Sequence, residues 1–314
     1  MGVSFLFVNR HHEIRVGWRL VLFLIIVVPL IQLDLYASRK ASLALVWFEV
    51  MMIVSVLLAS FTSTRYFNRK PFTAIGLGLH PMLFREFGLG CVVGFAMMSG
   101  IFFVELGFGL VTFEWRGLQL NAISWVILTS GATFAVGAFS EEVLFRGYAF
   151  QTLIQGVTFL PATLILAVLF ALAHAGNPNV SLFGFVNIAL AAVWLSIAYM
   201  KTRSLWLPFG LHFSWNFAQT TVYAFPTSGV SFTEFKLFLL KQTGPEWLTG
   251  GVFGPEGGAL ATAALVGGTW YLLKSRQVSA PEGIVTLDSV EDLLAPLQNP
   301  AGLPVHQGGN GQGT

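Results

Sequence analysis

Long apolar runs constrain the fold of this chain more than any other feature of its sequence. A helix needs about 20 apolar residues to cross the roughly 30 Å hydrocarbon core of a bilayer. Eight windows of about that length can be drawn along the chain. They cover residues 16–34, 41–63, 87–111, 121–141, 158–174, 180–200, 204–225 and 252–273. The stretch after Glu141 extends the fourth predicted helix to about residue 155.

The scarcity of charge supports the same interpretation. Only 10% of the 314 residues are charged and 55% are hydrophobic, whereas soluble domains carry about 25% charged residues. Such a chain has too little polar surface to remain dissolved, so a soluble class is excluded. We therefore predict an all-α fold, a polytopic membrane helix bundle of about eight transmembrane helices. No basic run interleaved with aromatic residues indicates a nucleic-acid partner.

The distribution of Lys and Arg predicts how the bundle is oriented. With the amino terminus in the cytoplasm, twelve of the 17 Lys and Arg residues fall on inner segments and five on outer ones. This is the bias described by the positive-inside rule. An even number of spans then places both termini in the cytoplasm. In a bacterial cell the membrane would be the plasma membrane.

The composition changes after the last apolar window. Residues 277–314 contain no Lys or Arg, carry several acidic residues and end in a run rich in Gly, Gln and Asn. Such segments bury too little apolar surface to fold. We therefore predict an integral membrane domain at residues 1–276 and a mostly disordered acidic tail at residues 277–314. In the long loop before the last window, the stretch FTEFKLFLLK predicts a surface helix.

Charged residues interrupt the apolar pattern at GAFSEEVLFRGYAF, in the fourth predicted helix. An ionisable side chain at the bilayer centre costs about 2.5–3.5 kcal/mol on insertion scales. Glu142 and Arg146 are separated by four residues with the acid first, which is the favourable order for a helical ion pair. Glu141 has no partner of this kind on its own helix. A pair with a spare carboxylate indicates a polar cavity within the membrane.

Two further polar motifs lie on other predicted helices. FALAHAG contains Phe170 and His174 at the end of the fifth window, and PFGLHFSWNF contains His212 and Asn216 in the seventh. His212 and Asn216 are four residues apart, so they share one helix face. Each feature alone has a structural explanation, such as an ion pair, an interfacial histidine or an interhelical hydrogen bond of about 0.6 kcal/mol. Together they provide a carboxylate, two imidazoles and an amide on three helices.

This set of side chains fits two hydrolytic mechanisms. A carboxylate and a histidine can activate water as a general base, while a histidine and an asparagine can donate hydrogen bonds to an oxyanion. Alternatively, Glu141, His174 and His212 could bind zinc and leave one position open for water. Either mechanism suits hydrolysis of an amide bond inside a bilayer. Glu49 and Glu105 also lie in apolar windows, and we interpret them as structural or cavity-lining residues.

The motifs EEVLFR, FALAH and HFSWN occur in this order on separate predicted helices. Their pattern resembles the CAAX-processing and bacteriocin-processing (CPBP, ABI-type) intramembrane protease family, over about residues 120–220. The resemblance implies an endopeptidase, often classed as a metalloprotease, that acts on a membrane-associated protein or peptide substrate in the lipid bilayer. It implies that Glu141 and His174 activate the attacking water and that His212 and Asn216 stabilise the tetrahedral intermediate. Glu142 and Arg146 would then hold the motif in place.

The resemblance leaves the cofactor open. Zinc or another divalent metal would use Glu141, His174 and His212 as ligands. The chain lacks the His-Glu-x-x-His spacing that lets one helix supply two zinc ligands and a base. A metal-free mechanism uses every motif residue once, and we favour it.

Other functions stay open at this point. A non-catalytic membrane scaffold or a bacteriocin-immunity-type protein would use the same polar residues for structure. A proton-coupled transporter would draw on Glu49 and Glu105, but no inverted repeat is visible. The sequence does not indicate an oligomeric state or whether the substrate is prenylated.

One expectation conflicts with a shared site. Glu141 ends the fourth window at its inner side, whereas His174 ends the fifth window at its outer side. At 1.5 Å per residue they would lie roughly 20 Å apart along the membrane normal. They can meet only if a span starts deep, tilts or breaks, for instance around QGVTFLPAT.

Overall fold

A mostly helical bundle is found in the computed structural model, which describes residues 7–9, 13–41, 45–281 and 283–287. The helices are α1 (Val16–Ala41), α2 (Leu45–Ser63), α3 (Leu83–Gly107), α4 (Leu120–Glu142), α5 (Ala149–Val157), α6 (Phe159–Ala173), α7 (Leu182–Thr202), α8 (Trp206–Phe217), α9 (Glu246–Thr249) and α10 (Ala259–Lys274). The strands are β1 (Val111–Trp115) and β2 (Phe238–Gln242). The predicted membrane helix bundle is thereby confirmed.

Five helices in the described part of the chain support the assignment of a membrane-spanning protein. They are long and apolar enough to cross a bilayer and comprise Val16–Lys40, Leu45–Asn68, Leu83–Gly107, Leu120–Val157 and Leu182–Thr202. The other three predicted windows contain the shorter helices α6, α8 and α10. The protein is therefore an integral membrane protein whose apolar windows all correspond to helices.

Several cationic side chains come together at one end of the bundle, which we call the basic end. A guanidinium nitrogen of Arg19 donates to Oε1 of Gln155 at 3.0 Å, and the amide of Gln155 donates to the carbonyl of Leu287 at 2.6 Å. Nζ of Lys70 donates to the carbonyl of Thr286 at 3.2 Å. Nζ of Lys201 donates to the carbonyl of the residue after α10. The connections α2–α3, α5–α6 and α7–α8 thus lie at the same end as the chain that leaves α10.

A small antiparallel sheet lies at the opposite end of the bundle. β1 pairs with β2, with Val111 opposite Gln242 and Trp115 opposite Phe238. The surface helix expected at FTEFKLFLLK is therefore wrong, because this stretch contains one 3₁₀ turn, Thr233–Phe235, followed by β2. Exposed and half-buried residues alternate along β2, which is the period of a strand with one face covered. β1 provides the pairing partner, which local sequence does not show.

The chain after α10 follows the basic end. Leu287 is almost fully buried, with 1% of its surface exposed. Its backbone N–H donates to the carbonyl of Ala74 at 3.1 Å and to Oε1 of Gln151 at 3.0 Å. Residues 288–314 of the predicted tail lie outside the described residues, so disorder there stays a prediction.

The fourth helix continues well past Glu141. Residues Leu120–Val157 form one helical run, which confirms the predicted extension to about residue 155. A π-helical turn occupies residues 143–148, and Gly147 has a non-helical ψ of −116°. At Thr158 the chain reverses, with φ of 69°, and α6 returns alongside α5.

This hairpin removes the conflict in depth. Glu141 precedes Thr158 by 17 positions and His174 follows it by 16. At 1.5 Å per helical residue, both side chains lie about 25 Å from the reversal. The expected separation of Glu141 and His174 was wrong because it counted depth from the end of the fourth window at Glu141. The helix continues to Val157 and the chain reverses at Thr158, within the stretch QGVTFLPAT where a break was considered.

Candidate active site

A cavity of about 180 Å³ lies among α2, α4, α6, α7 and α8. It has room for several water molecules. Two chain connections far from the basic end contribute to its wall, through Asn177 after α6 and Ser228 and Phe232 after α8. Its ionisable and motif side chains are Glu49, Glu141, His174, His212, Asn216 and Glu256. All four residues predicted to carry out catalysis therefore line one cavity.

His212 connects the two adjacent glutamates of α4. Nδ1 of His212 lies 2.8 Å from Oε1 of Glu142, and Nε2 lies 3.9 Å from Oε2 of Glu141. The side chain of Glu142 is fully buried, whereas 27% of the side-chain surface of Glu141 is exposed. A carboxylate only accepts hydrogen bonds, so Nδ1 of His212 carries the donated proton. Nε2 is left facing Glu141 and the cavity.

Arg146 contacts the same carboxylate oxygen of Glu142 as His212 does. Its Nη1 lies 3.2 Å from Oε1 of Glu142, which forms the ion pair predicted from the four-residue spacing. Its Nη2 donates to the backbone carbonyl of Ala192 in α7 at 3.1 Å, and its guanidinium lies 4.8 Å from the ring centre of Phe170. Arg146 thus contacts α4, α6 and α7 at once. Its own position in a π-helical turn fits the frequent occurrence of such turns at functional sites.

His174 is oriented by the helix that it ends. Its Nδ1 lies 2.8 Å from the backbone carbonyl of Phe170, one turn earlier in α6. A carbonyl oxygen only accepts, so Nδ1 carries the proton and Nε2 of the neutral ring is the acceptor. The ring of Phe170 lies 4.7 Å from that of His174 and 6.3 Å from that of His212. Phe170 therefore separates and fixes the two imidazoles.

Asn216 is brought to the cavity by α8. It lies one turn after His212, and both residues line the same cavity. Close packing of α3 against α8 sets the depth of this helix, since a Cβ at Gly90 or Gly94 would lie within 2.5 Å of α8 atoms. A π-helical turn, Ala218–Val222, follows directly.

Sequence reasoning missed the connections that line the cavity away from the basic end. Oε2 of Glu256 accepts hydrogen bonds from the backbone N–H of Ser228 at 2.6 Å and from its hydroxyl at 2.9 Å. The carbonyl of Ser228 accepts from the amide of Asn177 at 2.9 Å. Ser228 has a positive φ of 45°. No sequence signal indicated the contact between Ser228 and Glu256, because the two residues are 28 positions apart.

Glu49 is a second cavity-lining residue that the sequence motifs did not indicate. It belongs to α2 and lines the cavity beside Glu141, so its interpretation as a cavity-lining residue is confirmed. Glu105 is fully buried elsewhere and does not line this cavity. For both Glu49 and Glu105, the only sequence signal was a charged residue within an apolar window. This signal does not distinguish a cavity-lining residue from one buried elsewhere.

A metal site does not fit the described residues. No group of three or more His, Cys, Asp or Glu side chains among them is arranged to hold a metal ion. The ligand set considered from the sequence, Glu141, His174 and His212, is therefore not assembled as a ligand set, and we derive no step through a metal.

The middle of the chain was compared with known protein families. Residues 123–218 match the family model described as type II CAAX prenyl endopeptidase Rce1-like. The chain contains an Rce1-like domain. The resemblance read from the three motifs over about residues 120–220 is thereby confirmed. Comparison with curated proteins found no match, and neither did comparison with solved structures.

The Rce1-like domain includes the whole motif set. Glu141, His174, His212 and Asn216 all lie within residues 123–218, as do Glu142 and Arg146. The family supports a protease of the CAAX type that is embedded in a membrane and acts on a membrane-associated protein. Glu49 and Glu256 line the cavity from outside the matched segment.

Proposed function

We propose that this protein is an intramembrane endopeptidase that hydrolyses a peptide bond of a membrane-associated substrate. The observation that carries the proposal is the convergence of Glu141, His174, His212 and Asn216 on one cavity. They come from three helices and include a base, an oriented imidazole and two potential hydrogen-bond donors. A structural ion pair alone would not need the unpaired carboxylate or the second imidazole.

The attacking water is bound between Glu141 and His174. Glu141 accepts one proton of the water as general base, and Nε2 of His174 accepts a hydrogen bond from the other. The hydrogen bond from Nδ1 of His174 to the carbonyl of Phe170 fixes Nε2 as the acceptor. The water oxygen then attacks the substrate carbonyl carbon. Glu141 later returns the proton to the leaving nitrogen, so that the overall reaction consumes one water and yields an acid and an amine.

The oxyanion of the tetrahedral intermediate is stabilised from α8. The side-chain amide of Asn216 and Nε2 of His212 donate hydrogen bonds to it. Because Nδ1 of His212 already donates to Glu142, donation from Nε2 requires a ring that holds both protons. Glu142 supplies the negative charge that such a ring needs, and Arg146 keeps Glu142 in position.

Purified protein tests the proposal with synthetic peptides in detergent micelles. Each peptide has one hydrophobic membrane-anchoring sequence followed by a randomised segment, and cleavage is detected by mass spectrometry. We expect Glu141→Gln to lower kcat by about 10²–10⁴ and Asn216→Ala to lower it by about 10²–10³. Glu105→Gln removes a buried membrane carboxyl that does not line the cavity and should leave kcat unchanged.

The same experiment separates an enzyme from a scaffold. Equal cleavage by wild type and Glu141→Gln would contradict the assignment of the base. Absence of cleavage by folded wild-type protein across the whole peptide set would contradict the proposed function and favour a non-catalytic role.

A further inference from the structure

Glu49 places a second carboxylate in the cavity, and α2 supplies it from outside the Rce1-like domain. Its Oε2 is inaccessible to solvent and has no hydrogen-bond partner among the described residues. Oε2 of Glu141 is in the same situation. Glu49, Glu141 and His212 line the same cavity. The proposed mechanism nevertheless assigns no step to Glu49.

The backbone of α4 leaves space for the Glu49 carboxyl group. Gly137 lies one turn before Glu141, and a Cβ atom built on it would lie 3.2 Å from both Cδ and Oε2 of Glu49. Any larger residue at this position would displace the carboxyl group. The absence of a side chain at Gly137 therefore lets Glu49 lie directly against α4 on the same side as Glu141.

Among the described residues, the cavity wall contains acidic groups and imidazoles but no cationic side chain of Lys or Arg. Arg146 lies behind the wall, where it pairs with the buried Glu142. Glu256 is engaged by Ser228. Glu141 lies 3.9 Å from Nε2 of His212, whereas Oε2 of Glu49 has no partner among the described residues. An ionised carboxylate in such a site of low dielectric is stabilised by a positive charge.

We propose that Glu49 is a specificity-determining residue that binds a cationic group of the substrate. This inference rests on the proposed function and adds the substrate class: membrane-associated peptides with a Lys, an Arg or a free amino group near the scissile bond. Glu141 must stay free to accept the proton of water, whereas Glu49 can form the ion pair.

Matched peptide pairs test this inference. The two members of a pair share one hydrophobic anchoring sequence and differ only in Lys or its uncharged analogue norleucine at one position of the cleaved segment. We expect wild type to cleave the Lys peptide with a higher kcat/KM at one or two positions. Glu49→Gln should lower that preference by about 10- to 100-fold, since hydrogen bonds to charged groups contribute in this range. The norleucine peptide gives the reference rate for each protein, so the ratio of the two rates measures the preference.

Glu105→Gln is the matched control, because it also neutralises a buried carboxyl group in a membrane helix. It should retain the full preference for Lys. Wild type without a preference, or Glu49→Gln with the wild-type preference, would overturn the inference while leaving the peptidase assignment intact.

A binding measurement keeps the two proposals distinguishable. Fluorescently labelled Lys and norleucine peptides are titrated onto wild type and Glu49→Gln in micelles. If no peptide is cleaved, the peptidase proposal fails, but tighter binding of the Lys peptide to wild type alone still supports the role of Glu49. Equal binding of both peptides to both proteins would refute it.

Discussion

At the scale of single residues, the buried pair of Glu142 and Arg146 is the most consequential interaction of the site. Both side chains are at most 1% exposed, and Arg146 also contacts α6 and α7. Glu142 in turn holds Nδ1 of His212. A fully buried ion pair contributes little net stability as a pair, but loss of one partner leaves the other charge uncompensated. The pair thus contacts both His212 and Phe170, as expected of residues that would position the site.

Arg146→Ala should destabilise the protein by about 3–5 kcal/mol, because Glu142 would remain buried without its counter-ion. The double variant Glu142→Gln with Arg146→Met removes both charges and should cost less. Thermal unfolding in detergent measures the difference. A single variant that is as stable as wild type would show that the guanidinium does not compensate the charge of Glu142.

The expected metal dependence of the activity follows from how the possible ligand side chains are arranged. Since the described side chains form no ligand cluster, we expect activity to survive treatment with a chelator and the purified active protein to lack stoichiometric zinc. Elemental analysis and activity before and after chelation measure both quantities. Zinc that disappears together with activity in His212→Ala, with activity of chelated wild type restored by added metal, would reverse this expectation.

At the scale of elements, the hairpin of α4, α5 and α6 sets the depth of the site. Two helical arms of nearly equal length place Glu141 and His174 at the same distance from Thr158. The reversal itself is strained, because Thr158 has φ of 69° and ψ of 176°. This region of backbone space is essentially restricted to glycine and costs other residues about 1–3 kcal/mol.

Thr158→Gly should therefore raise the stability of the protein by about 1 kcal/mol, after the greater flexibility of the unfolded glycine is taken into account. Thr163→Gly is the control, since Thr163 lies inside α6 with helical neighbours. There the same change should destabilise the protein. Thermal unfolding of both variants shows whether each substitution raises or lowers the stability of the protein. Destabilisation at both positions would show that the backbone at Thr158 is not strained.

At the scale of the whole molecule, the cavity and the basic end lie at opposite ends of the bundle. The connections that contain Asn177 and Ser228 line the cavity, whereas Lys70 and Lys201 lie with the chain after α10. With the orientation predicted from Lys and Arg, the scissile bond would be located toward the outer surface of the membrane.

Cysteine labelling in intact cells tests this orientation. Cys91, the single native cysteine, is first replaced by serine. Cysteines are then introduced at two exposed positions, Glu234 beside the small sheet and Gln277 at the basic end. A membrane-impermeant maleimide should label Glu234→Cys from outside and Gln277→Cys only after permeabilisation. The reverse pattern would place the cavity toward the cytoplasm.

The sequence by itself determined where the long apolar helices are and which polar side chains lie within them. Lipid cannot satisfy backbone N–H and C=O groups, so each apolar window had to form a helix. The Glu142–Arg146 pair and the shared face of His212 and Asn216 follow from helical spacing alone. Charges in apolar windows are costly enough to be noticeable wherever they occur.

Only the tertiary structure decided which of these residues meet, and at what depth. Glu49 and Glu105 look alike in the sequence, but α2 turns the first toward Glu141 while α3 buries the second elsewhere. The bond between Ser228 and Glu256 and the pairing of β2 with β1 also join segments distant in the chain. The physical reason is that the direction a helix faces and the place where it bends depend on packing against other helices, which no local pattern encodes.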